Sequence, residues 1–204
     1  MNRNNPSTTA AFVAILALAA SAHSLLAQST YHVAPPASGG SDSNSGAQAS
    51  PWATLQYAAN RVVAGDTVIV HSGTYAGFNL GQPHSGTAAN PISFIAEPRG
   101  SVLINTEAAR FNGQTHRARI NMDTVTHIVI DGFEVTGTND QRNSKAGIRM
   151  VAPPDSTPDE AGFITVRYCH VHHNGEWGIF SGHVHNITVE HNDVHDTFDE
   201  HGVY

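Results

Sequence analysis

Toward the end of the chain the apolar residues fall into three stretches that can be written one above another. Ile128-Val129-Ile130 leads to Val135, Ile164-Thr165-Val166 to Val171, and Ile187-Thr188-Val189 to Val194. Each stretch is followed by a Gly-apolar pair: Gly147-Ile148, Gly178-Ile179 and Gly202-Val203. The recurring unit is a short strand, a turn, a second strand, another turn and a Gly-led third strand. Ile187 follows Ile164 by 23 residues, a period that signals supersecondary units stacked into a solenoid. Strand alternation then turns Ile128, Ile164 and Ile187, and next Ile130, Val166 and Val189, to one side as inward rows. Phe133, Cys169 and Asn192 share an inward turn position. Cys169 is expected to be a buried, inert thiol there, and Asn192 to begin an asparagine ladder.

The same pattern extends upstream. Asp66-Thr67-Val68-Ile69-Val70 reads as a strand and His71-Ser72-Gly73-Thr74-Tyr75 as a turn. Pro91-Ile92-Ser93-Phe94-Ile95 and Val102-Leu103-Ile104 read as the strands of a second coil. About five coils are predicted over residues 66–204. Two insertions, near residues 137–145 and 152–161, map to loops on a face. Residues 35–50 are Pro, Gly, Ser and Asn and predict an irregular loop. Ser50-Pro51 then predicts a helix start, Ser as N-cap and Pro in the first turn. Leu55, Ala59 and Val62 lie on its apolar face, and Gly65 is its predicted C-terminal stop. A helix in that place would cover the open edge of the first coil.

Residues 10–22 are apolar and uncharged after Arg3, with small residues beyond. Residues 1–27 therefore read as a secretory signal, cleaved after Ala22 or Ala27, and residues 28–65 as the loop and capping helix. The apolar run is too short to span a bilayer comfortably. The chain stops at Tyr204, inside the third strand of a coil. This gives the expectation that further coils follow, that the piece alone is aggregation-prone unless it associates end to end, and that the full-length form is a monomer.

Composition narrows the class. Of 204 residues, 18 are Gly, 10 Pro and 13% charged, which suits a turn-rich β protein. The net charge of -7 argues against nucleic acid. It would also repel an acidic polysaccharide unless arginines or a cation offset it locally. One cysteine excludes an intrachain disulfide framework.

Outward positions carry the candidate chemistry. Asp131, Arg167 and Glu190 form a charge ladder about 4.8 Å per step, expected to be structural and worth under about 1 kcal/mol per pair. On the second strand, Glu134, His170 and Asp193 share one outward row, and Thr136, His172 and His195 the next. His170 is predicted against Asp193, and His172 against His195. A carboxylate raises a histidine pKa and a stacked histidine lowers it, which makes His172 and His195 acid/base candidates. The plain alternative is that these are tolerated polar strand residues. Asp193, Asp196, Asp199 and Glu200 crowd one turn region, where calcium is the expected cation and an ordinary acidic turn the alternative. Zinc through His170, His172, His195 or His201 has ligands of the right type but no diagnostic spacing.

Tyr31-His32-Val33-Ala34, Asp42-Ser43-Asn44-Ser45-Gly46, Pro51-Trp52-Ala53-Thr54-Leu55-Gln56, Ala64-Gly65-Asp66-Thr67-Val68-Ile69-Val70 and Gly73-Thr74-Tyr75 carry a resemblance. Together they resemble the opening of secreted right-handed parallel β-helix proteins of the pectate-lyase-like superfamily, including family-nine polysaccharide lyases. The later coils are similar to generic parallel β-helix repeats. The resemblance implies an all-β fold, a right-handed parallel β-helix (solenoid). It also implies β-elimination on a uronic-acid polymer. In that chemistry calcium neutralises the uronate carboxylate, and a Lys or Arg removes the C5 proton. Lys145 is the only lysine, in an inserted loop outside any aspartate run, so the family's residue set does not transfer. His172, His195 and His201 are further base candidates, and Arg149, Arg167 and Trp177 substrate-binding candidates. The readings left open are a lyase or epimerase, a β-helical glycoside hydrolase using Glu176, Asp199 or Glu200, and a non-catalytic glycan binder using Trp177, Phe180 and Tyr204.

Overall fold

The computed structural model describes residues 28–109, 118–137 and 146–204. The signal reading (1–27) and the body of the first insertion, with Lys145, lie outside these residues. Among the described residues there are thirteen strands and one short α-helix, and no helix is long and apolar enough to cross a membrane.

The chain opens with β1 (Thr30–Val33), α1 (Leu55–Ala59), β2 (Thr67–Ala76) and β3 (Phe78–Gly81). The next coil holds β4 (Ile92–Thr106) and β5 (Ala118–Asp123). Three-strand coils follow: β6 (Thr126–Asp131), β7 (Glu134–Thr136) and β8 (Ala146–Val151), then β9 (Gly162–Arg167), β10 (His170–His172) and β11 (Trp177–Gly182). The last elements are β12 (Thr188–Glu190) and β13 (Asp193–His195), with Val203 bridging to Ile179. Every strand pairs in parallel with its counterpart one coil away. One run is β1-β2-β4-β6-β9-β12, a second is β4-β7-β10-β13, and a separate sheet is β3-β5-β8-β11. The first two runs join because β2 and β4 continue across the bend. His71–Tyr75, expected as a turn, thus lies inside β2, with an irregularity in pairing between His71 and Gly73.

Register follows the side-chain pattern. Ile92, Ile128 and Ile164 stack inward, as do Phe94, Ile130 and Val166, all 0–1% exposed. Full burial of such a side chain stabilises by about 1.5–3 kcal/mol, and a slip of one residue would turn every one of them outward. Val135, Val171 and Val194 align as the pattern requires. Val189 is 38% exposed; among the described residues no strand covers the far edge of β12.

The helix begins later than expected. Ser50 is spent in a bridge with Ala47, and Trp52 in one with Val33, its amide donating to His32. Thr54 is the N-cap, its Oγ1 accepting from the Tyr57 amide. Asp42 reaches across the loop and accepts from the Ala53 and Thr54 amides and the Thr54 hydroxyl. Gly65 (φ +96°) serves the turn into β2, not the helix end, which falls at Asn60. Gln56 ties the helix to the first coil, accepting from the Asn79 amide and donating to its carbonyl.

The coil corners were not visible in the apolar pattern. His127, Phe163 and Asn186 occupy one left-handed position in successive coils; Gly132, Tyr168 and His191 occupy a second; His173 and Asp196 a third. Such backbone costs an L residue roughly 1–2 kcal/mol, and His, Asn and Asp tolerate it better than most. Several of the many histidines thus serve corner geometry. Stacking offsets part of the cost: His127 lies on Phe163 at 4.6 Å and Tyr168 on His191 at 4.9 Å between centroids.

Candidate functional site

Strands β7, β10 and β13 bring one polar face together. His170 pairs with Glu134 and Asp193 in register, and His172 with Thr136 and His195. The rows are those the alternation predicts, but the closest contacts run diagonally. His170 Nε2 lies 2.9 Å from His195 Nε2 and 3.9 Å from Asp193 Oδ2. His172 stacks on His195 at 5.4 Å and on His170 at 4.2 Å between centroids. Its Nε2 stands 3.3 Å from Glu134 Oε1 and its Nδ1 2.7 Å from His173 Nδ1. His195 Nδ1 lies 2.9 Å from Asp196 Oδ2. His173 and Asp196 reach these partners because each is the left-handed corner directly after its strand.

Partial burial, then the neighbouring His170 and His173, push the His172 pKa below 6.5, while Glu134 opposes the shift. The bond to His195 holds the Asp196 carboxyl below its usual range. The centre of this face is therefore a neutral histidine with a carboxylate at one ring nitrogen and an imidazole at the other. Among the described residues, two groups gather three metal-ligating atoms within 4.8 Å: Glu134, His170 and His172, and His170, Asp193 and His195.

The other sequence-predicted residues are distributed differently. No three of Asp193, Asp196, Asp199 and Glu200 bring oxygens within that distance. Asp193 and Asp196 turn to the histidines, while the turn holding Asp199 and Glu200 is fixed by backbone bonds from Phe198 to Asn174 and from Asp199 to Gly175. His201 stands 3.9 Å from Glu200 and stacks on Tyr204.

Arg167 is committed to Asp131, Nε to Oδ2 at 2.7 Å, and Arg99 clamps the same carboxylate with two bonds of 2.7 and 3.1 Å. The Asp131 side chain is 2% exposed, so in place of the expected exposed ladder a buried carboxylate is clamped between two half-exposed arginines. Arg99, 32 residues upstream, was missed because only the bend of β4 brings it over β6. Arg149 is buried, donates to Asn121 Oδ1, and has its pKa lowered by that burial. Trp177 and Phe180 meet at 4.5 Å, and Phe180 stacks on Tyr204 at 5.6 Å.

Cys169 is buried and its pKa is pushed up to about 11 by desolvation. Asn192 brackets that turn, accepting from the Cys169 amide and donating to the Val166 carbonyl.

Parallel coils stacked in register, with a histidine–carboxylate face turned outward, define a parallel β-helix. The chain belongs to the Pel9A-like right-handed β-helix family, whose profile matches residues 31–204. Its fold is similar to that of pectate lyase Pel9A, with a TM-score of 0.62 at 20% identity, over 84% of this chain and 40% of that one. It is also similar to a GH136 lacto-N-biosidase from Eubacterium ramulus, with a TM-score of 0.58 at 15% identity, over 80% of this chain and 41% of that one. A Bacillus subtilis (strain 168) protein, the uncharacterized protein YwoF, is 33% identical over 96 residues, 47% of this chain and 20% of that protein. The chain thus spans about a fifth of that relative and two fifths of the two solved structures.

Proposed function

We propose that this chain is part of a secreted polysaccharide-processing protein that acts on a uronic-acid-containing polymer, as a lyase or epimerase, by removing the C5 proton. The observation that carries the reading is the half-buried His172–Glu134 pair on the polar face of a Pel9A-like coil stack. Glu134 accepting from Nε2–H leaves the lone pair on His172 Nδ1, where His173 Nδ1 stands at 2.7 Å and must turn aside as substrate enters, and the lowered pKa keeps the ring neutral near pH 7. A neutral imidazole is a competent general base at that pH.

In the lyase form, His172 takes the C5 proton, the C4–O bond breaks with its electrons leaving on the departing sugar, and a C4–C5 double bond forms. In the epimerase form the C4–O bond stays intact, His172 keeps the abstracted proton until solvent takes it, and a water on the opposite face delivers a different proton to C5, leaving hydroxide that this proton neutralises. Pel9A is named a pectate lyase, which supports elimination as the first chemistry to test. The reading draws no step through calcium.

The aromatic group of half-buried Trp177 and Phe180 with exposed Tyr204 favours a second reading, a non-catalytic glycan binder, since rings with one face open to solvent suit sugar faces. The test incubates the longest natural form with pectate, alginate and glycosaminoglycans, with calcium and with chelator, and follows ultraviolet absorbance of the unsaturated uronate. A rise on one polymer, lost in His172→Ala, is expected. New reducing ends without unsaturation would replace the reading with hydrolysis, and affinity without either product would replace it with binding.

A further inference from the structure

The same face holds a second constellation that elimination does not use. We propose that His170, His195 and Asp193 form a binding site for a late first-row divalent cation of the Zn²⁺ type.

The donors are His170 Nε2, His195 Nε2 and Asp193 Oδ2, all within 4.8 Å of one another. A zinc–nitrogen bond of about 2.0–2.1 Å places neighbouring ligand atoms about 2.9–3.4 Å apart. The two Nε2 atoms stand at 2.9 Å and the carboxylate oxygen at 3.9 Å from His170. Small rotations of side chains that are 42% and 75% exposed close the remaining gap.

The tautomer is set from outside. Asp196 Oδ2 sits 2.9 Å from His195 Nδ1 and so accepts the Nδ1 proton. That leaves the lone pair of His195 on Nε2, aimed at His170. A carboxylate behind a ligating histidine is the usual support of such metal sites. Without metal, His170 Nε2–H donates to that lone pair across the 2.9 Å contact.

Imidazole pairs select borderline ions over calcium, whose preference is for oxygen alone. Asp193 and Asp196 bring negative charge to the cation. The exposure of all three ligands leaves room for water to complete the coordination. Glu134 and His172 gather around His170 on its other side, which makes them the competing arrangement.

The inference does not rest on elimination, and its readout is metal binding itself. The purified chain, free of any histidine tag and stripped with chelator, is titrated calorimetrically with Zn²⁺. Co²⁺ then reports the donor set by its visible spectrum. One saturable ion per chain is expected, with a nitrogen–oxygen Co²⁺ spectrum. Asp196→Asn should weaken binding about 10–100-fold, and His195→Ala should weaken it further. Asn tolerates the left-handed backbone of position 196 (φ 51°), and circular dichroism of both variants checks the fold. Glu134→Gln should bind like the unaltered chain. The proposal is overturned if no saturable binding occurs, if His195→Ala and Asp196→Asn bind undiminished, or if Glu134→Gln abolishes binding.

Discussion

Replacing Asp131 separates a surface ladder from a buried carboxylate held by two arginines. Its carboxylate accepts three bonds, two from Arg99 and one from Arg167, and its side chain is 2% exposed. Charge-assisted hydrogen bonds contribute about 1.5–3 kcal/mol each. Removing one partner of a fully buried pair costs about 3–5 kcal/mol. Here the two arginine side chains are 50% and 37% exposed, so both recover hydration when the carboxylate is gone. That brings the expected cost of Asp131→Asn to about 2–4 kcal/mol. For a chain of this size the loss corresponds to a fall in melting temperature of roughly 4–16 °C. Arg167→Gln should cost less, because Arg99 still clamps the carboxylate. The assay is urea unfolding followed by far-ultraviolet circular dichroism. A loss under about 1 kcal/mol for Asp131→Asn is what an exposed ladder would give, and it would refute the buried-carboxylate reasoning.

Three further outcomes are expected. The His172 pKa is lowered on folding, so the unfolded chain binds more protons near pH 6.5; its contribution to stability is full above that pH and is lost as pH falls through the folded value. On the proposed reading, activity falls over the same acid window, and His172→Ala lowers it by about 10²–10⁴-fold at all pH values; an activity unchanged in that variant would remove His172 as the base. Cys169, with its pKa near 11, should resist thiol-specific reagents in the folded chain at mildly alkaline pH and react on unfolding, as a timed modification assay would reveal. Thr124 holds a left-handed backbone (φ 54°), so Thr124→Gly should raise stability by up to about 1 kcal/mol in the same urea assay; a clear loss would mean that its hydroxyl bond to Asp123 outweighs the strain.

What the sequence by itself determined is the repeat, the register and the two sides of each strand. The inward rows through Ile128 and Ile164, the match of His170 with Asp193 and the match of His172 with His195 all follow from alternation. Parallel strands stacked in register place like positions together, and burying one face leaves no other register open. The helix was legible in kind but not in extent, because Ser50 and Trp52 had bridge partners that local capping rules do not see. Only the tertiary structure decided which outward groups touch. The diagonal His170–His195 contact depends on side-chain rotation, and the Asp196 and His173 contacts on left-handed corners that apolar periodicity does not encode. Asp131 became buried because Arg99, distant in sequence, folds over it. Strand pattern sets which face a residue is on, but contacts across that face depend on how each coil turns its corner.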